Sequence, residues 1–231
     1  MREFKLEKHC LSCNLKISIF KYLTQEQLEY VDSLRFEVDF NAGETIFKQG
    51  APLTHIVCIT SGLVKIYLEH ENDNNIILTI LKPTQILGGP GFNTDYKHHF
   101  SATAIEDTTA CFLDVNIFKE LLMQNSSFAV EMIGYLNNTH ISFYNKFKTL
   151  VHKHMNGRLA ETLIYLADDV YNSDKFQTTL SRQDIADMSA MRKESVIRAL
   201  KGFKEEGILL CENDSFEILQ KEALLKISKF G

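Results

Sequence analysis

The chain has 231 residues, 25 Lys+Arg against 30 Asp+Glu for a net charge of −5, and no tryptophan. With 45% hydrophobic and 24% charged residues, 11 Gly and only 3 Pro, disorder as the main state and collagen-like or linker-like chains are excluded. No run of about 18 apolar residues is present for a membrane span, and the start, MREFKLEKHC, has neither an apolar core nor a small-residue cleavage site, so the expectation is a cytoplasmic protein.

A charge of −5 taken whole argues mildly against a nucleic-acid partner, but phosphates meet a local patch and not an average. A length near 230 allows one large domain or two smaller ones. The five cysteines, Cys10, Cys13, Cys58, Cys111 and Cys211, are an odd number in a chain with no export signal, so a disulfide framework is not expected. Metal or redox use of some of them stays open.

In chain order, residues 24–33 (TQEQLEYVDS) carry Thr24 with Gln27 three later, a capping-box pattern that predicts one short helix. From about 34 to 114 the texture becomes strand-like, in LRFEVDF, THIVCIT, GLVKIYLEH, NIILTIL, FSATAIED and TACFLDV. In the third of these Val64, Ile66 and Leu68 alternate with Lys65, Tyr67 and Glu69, the period of a half-buried antiparallel strand. The separators Asn41-Ala42-Gly43, Ser61-Gly62, Asn72–Asn75 and Gly88–Gly91 are turn material. Many short strands with regular turns predict a sandwich or small barrel, and a barrel of this size can hold one small ligand.

After Val115 the pattern turns helical. A seam runs through Ala129, Ile133, Leu136, His140, Phe143, Phe147 and Leu150, spaced 4, 3, 4, 3, 4, 3 as in a helix that packs on a partner helix. A self-dimer explains its length and regularity best. Residues 156–231 read as a second unit. NGRLAETLIYLADDVY is amphipathic. Ser181 with Asp184 starts a helix whose apolar face holds Ile185 and Met188. Ser189-Ala190-Met191 forms a turn, and a second helix runs from Arg192 to about Glu206 with Val196, Ala199, Leu200 and Phe203 inward. Gly207 suits the position just past that helix, and GILLCENDSFEIL predicts a two-stranded wing turning at Glu212-Asn213-Asp214.

Two helices joined by a three- or four-residue turn make a helix-turn-helix, and in its DNA-binding version the second helix enters the major groove. From Ser189 to Lys204 there are five basic residues (Arg192, Lys193, Arg198, Lys201, Lys204) and one acid (Glu194), a local +4. At the front of that helix Lys193, Glu194, Ser195 and Arg198 are exposed types able to read base edges: Arg on guanine, Glu on the cytosine amino group, Ser on either. The full set expected at DNA is Ser181, Arg182, Gln183, Arg192, Lys193, Glu194, Ser195, Arg198 and Lys201. The charge is segregated. Residues 1–151 carry 13 basic and 17 acidic side chains (−4), and residues 152–231 carry 12 and 13 (−1), which returns −5.

In these segments the chain resembles the Crp/Fnr family of transcription regulators, from about Leu23 onward. VDFNAGETIFKQGAPLTHIVCITSGLVKIY resembles the family's cyclic-nucleotide-binding-type barrel. LSRQDIADMSAMRKESVIRALKGF resembles its helix-turn-helix, most specifically at KESVIRAL. The resemblance implies an α+β fold with a jelly-roll-like antiparallel barrel as sensor domain (1–125), a long dimerisation helix (126–154) and a winged helix-turn-helix domain (155–231). It implies a homodimer on double-stranded DNA, with RNA polymerase as a further partner. Two departures stand out: Ala190 replaces the frequent turn glycine, and Arg192 stands where a small hydroxyl residue usually caps the recognition helix.

The resemblance also frames the signal. Members that bind cAMP carry Gly-Glu in a phosphate loop and a later Arg-Ser pair. Here Gly88-Gly89 and Phe100-Ser101, followed by Ala102, occupy those places. An anion without its cationic partner is costly to desolvate, so cAMP binding is not expected. His98 and His99, beside Phe100, read as exposed loop residues. The Fnr branch implies an iron–sulfur cluster, for which Cys10, Cys13 and Cys111 match three ligands, while Ile19 stands where another thiolate belongs and clusters use four. A redox disulfide or zinc at these cysteines, or haem through His140, His152 or His154, are the other possibilities. Cys58 reads as core and Cys211 as structural in the wing. No Ser-His-Asp order, paired carboxylates or phosphate-binding P-loop motif appears, so an enzyme is not expected. The rival class is a ligand-binding regulator whose helix-turn-helix mediates only protein contacts.

Overall fold

Thr24 accepts a hydrogen bond from the Gln27 N–H, and the Gln27 side chain returns one to the Thr24 N–H, so α1 (Gln25–Leu34) starts on a complete capping box. This helix and the rest of the fold are seen in a computed structural model of the chain, which describes residues 18–70, 75–87 and 89–231. The structure falls into two compact units. One takes in residues up to Leu68 and Ile80–Ile141; the other takes in Glu69–Thr79 and Ser142–Gly231. Among the described residues no helix is long and apolar enough to cross a membrane.

Residues 36–114 form two four-stranded antiparallel sheets that do not close on each other, a jelly-roll-like arrangement. One sheet has the order β1 (Phe36–Phe40), β8 (Thr108–Asp114), β3 (His55–Ser61), β6 (Ile86–Leu87). The other has the order β2 (Thr45–Phe47), β7 (Ser101–Ala104), β4 (Val64–Leu68), β5 (Ile76–Leu81). The alternation expected in GLVKIYLEH is visible: Val64 and Ile66 are buried, while Leu68, at the strand end, is exposed. Strands β2 and β6 are three and two residues long, too short to carry a period. All four residues of β7 are buried.

Outside the first sheet lies an apolar layer of Ile19, Leu23, Val31, Leu113, Phe118, Phe128 and Met132 with their neighbours. Helix α2 (Val115–Gln124) contributes Phe118 and Leu121 to it. Asn125 ends α2 and begins α3 (Ser126–His152). Its side-chain oxygen accepts from the Phe128 N–H, while its amide donates to the Tyr22 carbonyl and to Gln27 Oε1. Further along α3 the Tyr135 hydroxyl accepts from the Ile86 N–H at 3.1 Å and donates to the Ile86 carbonyl at 3.0 Å. The edge strand β6 is thereby fastened to the long helix.

The second unit holds α4 (Met155–Tyr165), a π-helical turn (Leu166–Val170), the hairpin helices α5 (Arg182–Ser189) and α6 (Lys193–Glu205), and a final helix α7 (Lys221–Phe230). Its sheet has the order β10 (Leu209–Glu212), β11 (Ser215–Ile218), β9 (Lys175–Gln177). The wing thus has a third strand beyond the two expected. At the end of α6 the Ile208 N–H donates to the Phe203 carbonyl and the Gly207 N–H to the Lys204 carbonyl. Gly207 has φ +69, the left-handed residue that this pair of bonds requires.

Candidate nucleic-acid interface

The helix hairpin is locally encoded at both ends of its turn. Ser181 caps α5 through the Asp184 N–H, and Asp184 bonds back to the Ser181 N–H. Ile185 and Met188, on α5, and Val196, Leu200 and Phe203, on α6, are buried as the pattern requires. Between the helices Ala190 sits at φ +48, ψ +52. That left-handed conformation costs an L-residue with a Cβ about 1–2 kcal/mol, and a glycine less. The Ala190 carbonyl is held by Arg158 Nη2 at 3.3 Å. Replacing Ala190 by Gly is therefore expected to stabilise the protein by about 0.5–1 kcal/mol, the relief of strain less the glycine's own entropy. A urea unfolding midpoint that stays or falls would contradict it.

Arg192 takes the N-cap position of α6 and makes no side-chain cap bond. The exposed face of α6 then reads Lys193, Glu194, Ile197, Arg198 and Lys201. These positions form one stripe, because i, i+4 and i+8 lie above one another on a helix. Ser195 is half-buried and accepts a bond from Arg198 Nη2 at 3.4 Å. Ile197 was not among the residues expected at the interface. It is 47% exposed, and its signal was its position between Glu194 and Lys201, off the buried face. An aliphatic side chain there suits the methyl group of thymine.

The three expected residues at the start of α5 divide. Ser181 is exposed but occupied by its cap. The Gln183 amide donates to Asp187 at 2.7 Å. Arg182 faces the wing: its guanidinium lies 4.8 Å from the centre of the Phe216 ring and donates to Cys211 Sγ and to the Asn213 carbonyl. Behind it Phe216, Phe176 and Tyr171 stack in a column, with centroid separations of 5.5 and 4.9 Å. Cys211 belongs to this wing packing, and burial pushes its thiol pKa up.

Helix α3 carries an exposed apolar stripe. Ile133, His140 and Phe147 of the expected seam are exposed, but Ala129, Leu136, Phe143 and Leu150 are half-buried against the chain itself. The residues flanking the exposed three are instead Val130, Asn137, Tyr144 and Val151. The stripe therefore runs 130, 133, 137, 140, 144, 147, 151, which is the same 4-3 repeat moved to the next column. Tyr144 and Phe147 are 71% and 69% exposed.

In the first unit, Gly88 lies outside the described residues. A Cβ on Gly89 would meet the Phe100 ring at 3.5 Å. Phe100 is buried, Ser101 Oγ accepts from the Gln49 N–H at 2.8 Å, and Ala102 is wholly buried. His98 is buried too, contrary to its reading as an exposed loop residue. The loop folds back so that Gly50 N–H donates to the His98 carbonyl and His98 N–H to the Ala51 carbonyl. The imidazole stacks on Phe47 at 3.7 Å between centroids. Burial lowers its pKa to about 4, so it supplies no charge at neutral pH. His99 is exposed and paired with Asp95 at 3.0 Å.

Cys10 and Cys13 lie outside the described residues. Cys111 is half-buried, and Arg35 Nη1 points at its sulfur from 3.6 Å. Arg35 is itself fixed by Asp32 and Glu37, each at 3.0 Å. Ile19 is buried in the apolar layer. His140, His152 and His154 are exposed on or beside α3. Among the described residues no three of His, Cys, Asp and Glu stand close enough to hold a metal ion.

Residues 37–125 match the family described as cyclic nucleotide-binding domain, and residues 157–227 match the Crp-like helix-turn-helix domain. The chain is 25% identical over 207 residues to electron transport regulator A of Shewanella oneidensis, covering 87% of this chain and 82% of that protein. It is 25% identical over 193 residues to the CRP-like cAMP-activated global transcriptional regulator of Mycobacterium tuberculosis, covering 82% and 86%. Among solved structures, FixK2 from Bradyrhizobium japonicum superposes with a TM-score of 0.76 at 18% identity, covering 84% of this chain and 97% of that one.

Proposed function

Because the chain belongs to the Crp/Fnr family of transcription regulators, and is itself a DNA-binding regulator and not an enzyme, we propose that it reads a two-fold-symmetric DNA site as a homodimer through the Lys193–Lys201 stripe of α6. The observation that carries this is the stripe itself: three cations, one carboxylate and one aliphatic side chain, all solvent-facing on a helix whose opposite face is buried. Lys193, Glu194, Ser195, Ile197 and Arg198 are the base readers. Arg192 and Lys201 meet phosphates, as does the start of α5 at the exposed Ser181 and the half-buried Gln183. Arg182 acts indirectly, by fixing the wing to α5. Half-sites lie about one helical turn apart. The α3 stripe is the dimer seam. RNA polymerase is the implied further partner, and the cell interior the implied place of action.

Replacing Arg198 by Ala is expected to cost about 1–3 kcal/mol of specific binding and to relax base preference at one position of each half-site. A gel shift over operator variants measures both. Unchanged affinity and preference would remove the assignment, and salt-independent binding in the parent protein would favour a helix-turn-helix that contacts only protein.

The residues present do not suit a cyclic nucleotide at the barrel. The place of the phosphate's arginine is taken by Phe100, packed against Phe47, and the nearby His98 is held neutral. Nor do they suit a four-thiolate iron–sulfur cluster. Ile19 is built into the apolar layer where another thiolate belongs, and the Cys111 sulfur already receives the Arg35 guanidinium.

A further inference from the structure

The register of the first sheet places Cys111 of β8 directly opposite Cys58 of β3, and Cys58 in turn opposite Ile86 of β6. Directly opposed residues of an antiparallel pair project to the same face. Both cysteines accordingly belong to the apolar layer outside that sheet, Cys58 within it and Cys111 packed against it. Both are thiols. Opposed residues in such a ladder have Cα atoms about 4.5–5.5 Å apart, inside the range of about 4.4–6.8 Å that a disulfide spans. We infer that Cys58 and Cys111 are an oxidisable dithiol that closes a cross-strand disulfide and reports the redox state of the sensor unit to the long helix.

The environment assigns the order of events. Cys111 is half-buried and reachable, with the Arg35 guanidinium beside its sulfur; Cys58 is 4% exposed. The thiolate is the nucleophile, and because Asp32 and Glu37 balance the Arg35 charge, with Glu37 directly opposite Cys111 in the ladder, access and not charge makes Cys111 the first to react. With a hydroperoxide as oxidant, the Cys111 thiolate attacks the distal peroxide oxygen. An S–O bond forms, the O–O bond breaks, and the leaving alkoxide or hydroxide takes the proton that the thiol released. Cys58 sulfur then attacks the sulfenic sulfur: the S–S bond forms, the S–O bond breaks, and water leaves with the Cys58 proton. In sum, two thiols and one hydroperoxide give one disulfide, one alcohol or water, and one water. The buried thiol resolves the intermediate before a second oxidant can reach it.

The row does not stop at the pair. Cys111, Cys58 and Ile86 lie side by side across three strands, and the Tyr135 hydroxyl of α3 holds Ile86 by both its N–H and its carbonyl. Burial raises the Tyr135 pKa and outweighs the lowering by the Ile86 backbone hydrogen bond, with a smaller upward push from neighbouring Cys58, so the phenol stays protonated and donating. Drawing Cys58 toward Cys111 therefore acts on the strand edge that anchors the long helix.

The test treats the reduced full-length protein with hydrogen peroxide and maps its peptides without reduction. The expected product is the Cys58–Cys111 linked peptide, reversed by dithiothreitol. In Cys58→Ala the expected product is a sulfenic acid at Cys111, trapped by dimedone. A map in which Cys111 ends as sulfinic acid or joined to Cys10 or Cys13 overturns the proposal. So does iron or zinc in anaerobically purified protein that is lost in Cys58→Ala or Cys111→Ala. The wild-type map needs no variant to fold and no DNA-binding activity. Coupling is read separately: oxidation is expected to change operator affinity at least fivefold in wild type and not in Cys111→Ala. An equal change in both would overturn the transmission to α3.

Discussion

Phe147→Lys is expected to turn the protein into a monomer that no longer holds a palindromic operator. Phe147 is exposed in the single chain, so the change leaves the protomer's own packing nearly untouched. Across a two-fold seam it removes two phenylalanines worth about 1.5–3 kcal/mol each when buried. It also brings two ammonium groups together in an apolar contact, at a further cost of several kcal/mol. The sum, on the order of 5 kcal/mol or more, corresponds to over three decades in the dimer dissociation constant. Sedimentation velocity across a concentration series measures it directly. The register of the seam makes the prediction sharper. Tyr144→Ala and Val151→Ala should weaken the dimer, whereas Phe143→Ala and Leu150→Ala should lower the unfolding midpoint instead. The opposite division would restore the 129-136-143-150 column as the interface.

The second large effect concerns Lys146, which the sequence groups with Lys148 and Arg158 as a basic surface facing the DNA backbone. Lys146, on α3, is half-buried and donates through Nζ to the Met188 carbonyl in the last turn of α5. A cation near a helix C-terminus suits the dipole there. Burial nevertheless dominates and lowers the Lys146 pKa to about 8, with the nearby Glu161 carboxylate pulling the other way. For Glu161, burial works to raise the pKa, but hydrogen bonds from Lys153 and Ser228 and the charges of Lys153 and Lys146 outweigh it, so its pKa is lowered. The folded pKa of Lys146 thus lies below the unfolded value of 10.5. Below pH 8 both states hold the proton and the cost of burying it is fully present. Between about pH 8 and 10.5 the unfolded chain binds the proton and the folded chain does not, so stability rises with pH. The integrated gain is roughly 3 kcal/mol. Wild type should therefore gain that much relative to Lys146→Met between pH 7.5 and 10.5 in urea titrations. Parallel pH curves for the two proteins would refute a desolvated ammonium at this position.

What could be read in the sequence was what repeats or what has a local chemical cause. The capping boxes at Thr24 and Ser181, the alternation at Val64 and Ile66, the inward face of α6 and the glycine after it are each decided within a few residues. What could not be read depended on partners far along the chain. Helix α3 carries two adjacent apolar columns with the same 4-3 spacing, and only the way its own chain covers Phe143 and Leu150 decides which one is left open. Arg182 has the composition of a DNA contact, yet Phe216, 34 positions later, takes it. His98 follows a charged loop residue and looks solvated, but the backbone of Gly50 and Ala51 draws it beneath Phe47. The opposition of Cys58 and Cys111 is a matter of strand register, which spacing alone does not encode.

The column of Arg182, Phe216, Phe176 and Tyr171 has a consequence for the cost of recognition. It runs from the first residue of α5 through the wing to the end of the turn that follows α4, and the Tyr171 hydroxyl closes it on Thr178 at 2.7 Å. The hairpin helices and the wing are thereby ordered as one block when the chain folds. Association with DNA then freezes few backbone torsions in this block, so little binding free energy is spent on ordering it. The block arrives with its shape fixed, and a groove that does not match it must deform, which makes the local stiffness of the DNA itself part of how sites are told apart.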